Sequence, residues 1–217
     1  MAYSGKVTAG GPPQLRELSD LTVTKMSVGP MDNNAYLLRC RSTGEQLLVD
    51  AANDADRLLK LVGDAGLATV VTTHRHQDHW QALAEVVKST GAQSVAHQLD
   101  APALPVDSVA VNDGDRITVG SAAVEVIHLV GHTPGSIALL HQDPGGTPHL
   151  FTGDSLFPGG VGNTEGDADR FASLIDDVER KIFDRLPDDT WFYPGHGNDS
   201  TLGAERSALP EWRARRW

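Results

Sequence analysis

The segment Thr73–His79 reads THRHQDH and holds three histidines and one aspartate within seven residues. His74 and His76 are two residues apart, so on an extended backbone both imidazoles point to the same side. Asp78 and His79 follow where the pattern turns towards a helix, which directs their side chains away from the first pair. Imidazole and carboxylate are ligands that zinc prefers, and iron and manganese also accept them. The segment predicts one metal position with a second beside it.

Three later residues of the same types each follow a predicted strand. His132 lies in GHTPGS, Asp154 in TGDS and His196 in YPGHG. In α/β architectures, functional side chains gather at the carboxyl ends of strands, on loops that a sheet holds in place. The neighbouring glycines permit tight turns and close backbone approach. We therefore expect these three side chains to meet the THRHQDH segment in one metal site.

The elements that would bring these residues together are predicted from hydrophobic periodicity. In the first half, alternation or short apolar runs indicate strands at LTVTKMSV, AYLLRC, QLLVDA and residues 68–73. Helical spacing indicates helices at residues 54–65 and 80–90. The histidine-rich segment follows the last of these strands.

The second half repeats this plan of strands followed by helices. Strand candidates are QSVAH, RITVG, AAVEVIHLV, SIALLHQ, PHLFTG and TWFYPG, with a long helix at residues 169–185. Two such halves predict an α/β (α+β) fold in which two sheets pack together with helices outside. The fold class is thus a four-layer αββα sandwich.

The length of 217 residues fits one domain over 1–217, with a loose lead-in at 1–18 and a tail at 209–217. A net charge of -11 disfavours a nucleic-acid partner. The sequence shows neither a secretion signal nor an apolar run of about 18 residues, so we expect no membrane association and a cytoplasmic location. The tail EWRARRW, with Trp212 and Trp217, either packs on a neighbouring subunit of a homo-oligomer or frays.

The motifs THRHQDH, GHTPGS, TGDSLF and YPGHG, in this order, resemble the metallo-β-lactamase fold superfamily, and within it the glyoxalase II-like (hydroxyacylglutathione hydrolase-like) hydrolases. The resemblance covers about Leu21 to Ala208. It implies a dinuclear site for two divalent ions, with zinc expected first and iron or manganese as alternatives. It also implies the ligands: one ion is held by His74, His76 and His132, the other by Asp78, His79 and His196, and Asp154 bridges them.

The resemblance implies a zinc-dependent thioesterase or esterase. In such a site a metal-bridged hydroxide attacks the thioester, ester or lactone carbonyl of a small-molecule substrate. Asp78 is the candidate catalytic residue, which accepts a proton or orients the hydroxide.

The loop after Asp154 bears on the substrate and reads LFPGGVGNTEGD. Asn163 stands where the resemblance leads us to expect Arg or Lys for binding glutathione, and a neutral amide makes no charge-assisted contact with a carboxylate. We therefore expect an acyl-thiol other than glutathione, a lactone or an ester. Asn163, Phe157 and Tyr36 are the predicted pocket residues, although Phe157 and Tyr36 are equally expected as packing residues.

Two other functions stay open. Persulfide dioxygenases are similar to glyoxalase II but use one iron ion and oxygen, with a ligand subset that corresponds to His74, His132 and Asp154. A non-catalytic metal-binding protein is the remote alternative, because a fold alone never proves activity. A β-lactamase is less expected, since many of those enzymes lack the bridging carboxylate that Asp154 supplies.

Overall fold

The computed structural model describes residues 3–216 and contains two large sheets that face each other. The first sheet has its seven strands in sequence order, antiparallel as far as the fourth and parallel from there on. These strands are β1 (Gln14–Glu17), β2 (Leu21–Val28), β3 (Asn33–Cys40), β4 (Gln46–Val49), β5 (Thr69–Thr72), β6 (Gln93–His97) and β7 (Val109–Val111).

The second half supplies the remaining strands. They are β8 (Arg116–Val119), β9 (Ala122–His128), β10 (Ile137–Gln142), β11 (Pro148–Gly153), β12 (Leu156–Phe157), β13 (Gly160–Val161), β14 (Trp191–Pro194) and β15 (Ser200–Thr201). Six of them form the second sheet in the order β15-β14-β11-β10-β9-β8, whereas β12 and β13 pair only with each other. The pair β11 and β14 is parallel, so both strands end at the same edge.

The α-helices lie on the outer faces of the two sheets. They are α1 (Ala55–Val62), α2 (Leu83–Thr90), α3 (Ala168–Val178), α4 (Leu202–Glu205) and α5 (Leu209–Arg215). The predicted helix 169–185 is α3 followed by a π-helical stretch, Glu179–Phe183. No helix among the described residues combines the length and the apolar character that crossing a membrane requires.

Alternation along β3 shows how the layers form. Tyr36 and Leu38 pack into the core between the sheets, while Ala35 and Leu37 pack into a second core under α1 and α2. This is the period of two that a strand imposes on its side chains. A third core joins the outer face of the second sheet to α3 and α5. The αββα fold class predicted from the sequence is confirmed.

The lead-in at residues 1–18 is not loose over its described part, so that prediction was wrong. Residues 14–17 form β1, which pairs with β2. The Tyr3 hydroxyl donates to Asp199 Oδ2 at 2.6 Å, and the buried Lys25 ammonium donates to Gly5 O at 2.8 Å and Asp199 Oδ1 at 2.6 Å. A buried cation needs such acceptors. The bond from Lys25 to Gly5 O therefore holds the glycine-rich segment against the fold.

The tail also belongs to the fold. Trp212 on α5 is 2% exposed, and its ring lies 6.1 Å from the ring of Phe183 in an edge-on arrangement. Neither fraying nor a free tryptophan for a neighbouring subunit describes this residue. Trp217 lies outside the described residues.

Replacing Trp212 with Ala should lower the free energy of unfolding by roughly 3–5 kcal/mol, because the change removes a buried aromatic ring and leaves a cavity. Urea unfolding followed by circular dichroism measures the loss. Glu211→Gln is the matched control, since Glu211 lies on the exposed side of α5 and its pairing with Arg215 is long, at 3.9 Å. Equal stability of the two variants would contradict the packing role of Trp212.

Candidate metal centre

The structure brings the seven predicted ligand residues to one edge of the sandwich. His74 and His76 follow β5 of the first sheet, with Asp78 and His79 on a single 3₁₀ turn, Gln77–His79, just beyond. The other three residues follow strands of the second sheet, where β9, β10, β11 and β14 meet this loop. These are His132, Asp154 and His196.

The ligand atoms fall into overlapping groups. Within each group they lie no more than 4.8 Å apart. The groups are His74 with His76 and His132, Asp78 with His79 and His196, and His74 with His79 and Asp154. The first two draw on both sheets, and Asp154 belongs with one histidine of each. Its carboxylate therefore lies between two candidate metal positions.

Hydrogen bonds fix which ring nitrogen of each histidine faces the centre. His132 Nδ1 donates to Asn163 O at 2.7 Å, and His196 Nδ1 donates to Met31 O at 3.0 Å. A carbonyl oxygen only accepts, so these bonds place the hydrogen on Nδ1 and leave the Nε2 lone pair for a metal. The rings are thus oriented as metal ligands.

Several polar atoms at the centre make no hydrogen bond among the described residues. His74 Nε2, His132 Nε2 and Asp154 Oδ1 are buried without a hydrogen bond. His79 Nε2 and His196 Nε2 face each other at 3.3 Å. Unpartnered buried acceptors cost free energy, and a divalent cation satisfies lone pairs and carboxylate charge together. The residues present therefore fit two divalent ions.

Asp50 supports the centre and was missed by the sequence reading. It follows β4, is buried, and accepts from His79 Nδ1, Thr73 N and Thr73 Oγ1, each at 2.8 Å. These contacts hold the imidazole and the start of the ligand loop in one orientation. The same rule that selected Asp154, an aspartate after a strand, could have found Asp50.

Asp100 ties together the two loops that supply the first group of ligands. Its carboxylate accepts from Arg75 N at 3.0 Å, Thr133 Oγ1 at 2.5 Å and Gly135 N at 3.0 Å. Its side chain is buried. Nothing in its local sequence separates Asp100 from an ordinary loop aspartate, because its partners lie far along the chain.

Asn33 performs a similar task for the second group. Its side-chain nitrogen donates to Asp78 Oδ2 at 2.9 Å and lies 3.4 Å from His196 Nε2. The predicted strand AYLLRC begins after it, so Asn33 was also missed. One carboxylate oxygen of Asp78 is thereby held in place.

Two glycines allow the backbone to approach Asp154 closely. A Cβ atom at Gly195 would lie 2.1 Å from Asp154 Oδ1, and one at Gly162 would lie 1.7 Å from Asp154 O. Both distances are far inside van der Waals contact, so any side chain would displace Asp154. The glycines of YPGHG and of the loop after Asp154 are therefore required by space.

Electrostatics divides the histidines into two kinds. Burial lowers the pKa of His74 and of His132, so both are held neutral. Burial also acts to lower the pKa of His79, but the charges of Asp154 and Asp50 outweigh it and raise that pKa well above its usual value. Burial acts to raise the pKa of Asp154, but His79 outweighs it and holds that pKa well below the usual range. Without metal, His79 thus carries a proton that metal binding must remove.

The three predicted pocket residues lie in different parts of the structure. Phe157 and Asn163 line a cavity of about 420 Å³ beside the centre. Tyr36 lies in the core between the sheets, 2% exposed, and its hydroxyl donates to Pro194 O at 2.6 Å. The prediction of Tyr36 as a pocket residue was wrong, because β3 turns this side chain inwards.

The sequence profile of the metallo-beta-lactamase superfamily matches residues 28–196, from the end of β2 to the last histidine of the centre. The chain belongs to this superfamily. The recognition made from the four motifs is confirmed.

Individual metallo-β-lactamase superfamily proteins resemble the chain over most of its length. A hydroxyacylglutathione hydrolase of Polaromonas sp. is 36% identical over 167 residues, which cover 76% of this chain and 62% of that protein. The chain therefore spans less than two thirds of that relative. The crystal structure of ETHE1 from Myxococcus xanthus has a TM-score of 0.77 at 29% identity and covers 88% of this chain and 84% of that one. The structure of TTHA1623 in a di-iron-bound form has a TM-score of 0.70 at 30% identity, covering 83% and 95%.

Asp50→Asn should weaken metal binding at the second group by roughly 10- to 100-fold, because an amide does not hold the His79 ring as a carboxylate does. Competition with a chromogenic chelator measures the affinity. Asp64→Asn, at an exposed aspartate after α1, is the matched control. Wild-type affinity in Asp50→Asn would show that this contact does not orient a ligand.

Metal loading at neutral pH should release about one or two protons per protein, since the raised pKa values of His79 and His196 keep protons on these rings until metal arrives. Metal affinity should therefore increase as the pH rises through these pKa values and decrease in acid. Calorimetry in buffers of different ionisation enthalpy counts the protons. Binding heats that do not depend on the buffer would contradict the assignment.

Proposed function

We propose that this protein is a dinuclear metal-dependent hydrolase that cleaves a thioester, ester or lactone carbonyl of a small molecule. The observation that carries the proposal is the placement of Asp154 between two groups of ligand atoms that share the edge of both sheets. Such an arrangement suits a pair of ions rather than one. Zinc is the first candidate, with iron and manganese as alternatives.

Two divalent ions held here would lower the pKa of a water between them towards neutrality and stabilise the charge that develops on a carbonyl oxygen. The protein's own contribution is to orient the groups around that water. Asp78 Oδ2 lies 3.3 Å from His196 Nε2 and is fixed by Asn33, so this carboxylate is placed to orient the water and accept its proton. Asp154 positions both halves of the centre.

A covalent mechanism through cysteine has no support. Cys40, the one cysteine of the sequence, is buried in β3 within the core between the sheets. The centre supplies charge stabilisation and an activated water without it.

The acyl-thiol class receives support from similarity. The Polaromonas relative is named a hydroxyacylglutathione hydrolase, and the superfamily profile that matches the chain spans the whole ligand set. Because the chain spans 62% of that relative, the transfer of a thioesterase activity to this protein is part of the proposal. The net charge of -11 further supports a small-molecule substrate over a nucleic-acid partner. A cytoplasmic location and a homo-oligomer stay predictions.

One observation favours a second candidate, a mononuclear iron persulfide dioxygenase. Among the described residues, three buried atoms of the centre make no hydrogen bond, and these are His74 Nε2, His132 Nε2 and Asp154 Oδ1. These residues are the three-ligand subset expected for that enzyme. Elemental analysis separates the candidates, since about two ions per chain and no oxygen uptake support the hydrolase. One iron per chain with oxygen uptake on persulfide addition supports the dioxygenase.

Asp154→Ala should reduce kcat/KM for a thioester by roughly two orders of magnitude or more, because it removes the carboxylate shared by the two metal positions. Activity and metal content are measured on the same sample, and bound metal should fall together with turnover. Asp64→Ala, a surface aspartate, is the control. Wild-type turnover in Asp154→Ala would rule out the proposed centre.

A further inference from the structure

A cavity of about 420 Å³ adjoins the metal centre and is formed by residues 157–163. These residues comprise the hairpin of β12 and β13 and the short segment that follows it. The volume lies in the range of sites that hold small molecules. The mechanism described above uses the metal ligands but does not involve this cavity.

The cavity lies against ligands of both candidate metal positions. A Cβ atom at Gly162 would lie 3.3 Å from His132 Nδ1, so the loop that lines the cavity contacts the side of this ligand ring that faces away from the metal position. The Phe157 ring lies 6.5 Å from the His196 ring, a ligand of the second group. A molecule whose reacting carbonyl lies at the centre can therefore extend its other part into the cavity.

The lining carries no charge. Residues 157–163 read FPGGVGN, and Asn163 is the one side chain among them with polar atoms. The Asn163 amide oxygen already accepts from Glu165 N at 2.8 Å. Phe157 and Val161 provide the apolar walls. Such a surface gains free energy from apolar groups and offers no counterion to a carboxylate.

The cations nearest to this loop have partners of their own. Arg170 donates to His132 O at 2.6 Å and pairs with Glu165 at 2.7 Å. Arg215 donates to Gly159 O at 2.7 Å and lies 3.9 Å from Glu211 Oε1, while Glu205 accepts from Gly159 N at 2.9 Å. The rim therefore presents paired charges of both signs rather than a positive patch.

Met31, a second apolar residue, contacts the same histidine through its backbone. The Met31 carbonyl accepts from His196 Nδ1, and Met31 is 59% exposed. Methionine adapts its shape to apolar groups of different outline. Phe157 and Met31 thus lie next to His196 on two different loops.

We propose that the substrate of this centre is a thioester whose acyl chain is apolar and whose whole structure is uncharged, with the chain held against Phe157 and Val161. The inference rests on the proposed hydrolase function and specifies its substrate class. Hydrolysis adds water across the C–S bond, so the products are a carboxylic acid and a free thiol. The acyl chain occupies the cavity, and the neutral Asn163 at the end of the same loop offers no cation to a carrier that bears carboxylates, such as glutathione.

The test uses the metal-loaded protein and two series of thioesters with acyl chains of two to eight carbons. One series carries uncharged N-acetylcysteamine as the thiol and the other carries glutathione. We expect kcat/KM to rise by about two- to fourfold for each added methylene until the cavity is filled. We also expect no preference for glutathione at equal chain length. A flat chain-length profile, or a tenfold preference for glutathione, would overturn the inference.

Variants locate the effect. Phe157→Ala should reduce the gain for each methylene, because it removes one apolar wall. Asn163→Arg should shift the preference towards the glutathione series by roughly tenfold, since it adds a cation at the cavity, whereas the uncharged Asn163→Gln should not shift it. Metal content measured on each variant separates a substrate effect from loss of the centre. An unchanged preference in metal-loaded Asn163→Arg would count against the role of the cavity.

The outcomes also separate the inference from the function on which it rests. Hydrolysis of glutathione thioesters in preference to neutral ones would leave the hydrolase intact and refute the apolar substrate. Failure of the metal-loaded protein to hydrolyse any thioester in either series would refute the substrate inference, and failure on esters and lactones as well would refute the proposed hydrolase.

Discussion

The architecture depends on one electrostatic constraint. Histidine nitrogens and aspartate oxygens lie close together at one edge of the two sheets. Nitrogen and oxygen atoms of four segments lie 3.3 to 3.8 Å from one another, and three buried atoms of the centre make no hydrogen bond among the described residues. Lone pairs and carboxylate charges this close repel one another unless positive charge lies among them, and without metal the protons on His79 and His196 supply it. The scaffold must therefore hold these groups together even before a cation contributes.

The scaffold achieves this with buried hydrogen bonds rather than with the ligands themselves. Asp50 fixes His79 and Thr73, and Asp100 fixes the backbone of the first ligand loop and the turn at Gly135. Both carboxylates position ligand residues by binding the groups next to them. Because both side chains are buried, their oxygens accept hydrogen bonds from the protein rather than from bulk water. Strand order explains why these segments lie together, because β5, β9, β11 and β14 all end at the edge where these bonds form.

The layered fold and the gathering of the seven histidine and aspartate side chains could be predicted because both leave local signals. Alternating residues mark β2 and β9, and aspartate or histidine after an apolar run marks the centre. The supporting contacts could not be predicted, since Asp100 and Asn33 acquire their roles only through partners far along the chain. The lead-in and the tail were misjudged for a related reason. Their glycine, proline and arginine content suggests loose ends, but long-range contacts to Lys25 and Phe183 bind them to the fold.

Each candidate metal position takes ligands from the first sheet and from the second. An ion at either position is consequently a cross-link between the two layers, in addition to any chemical role. Free energy of binding to the native state, absent in the unfolded chain, adds to stability by mass action. Catalytic competence and resistance to unfolding are then linked quantities in this protein, so a cell that limits metal supply would lower both at once.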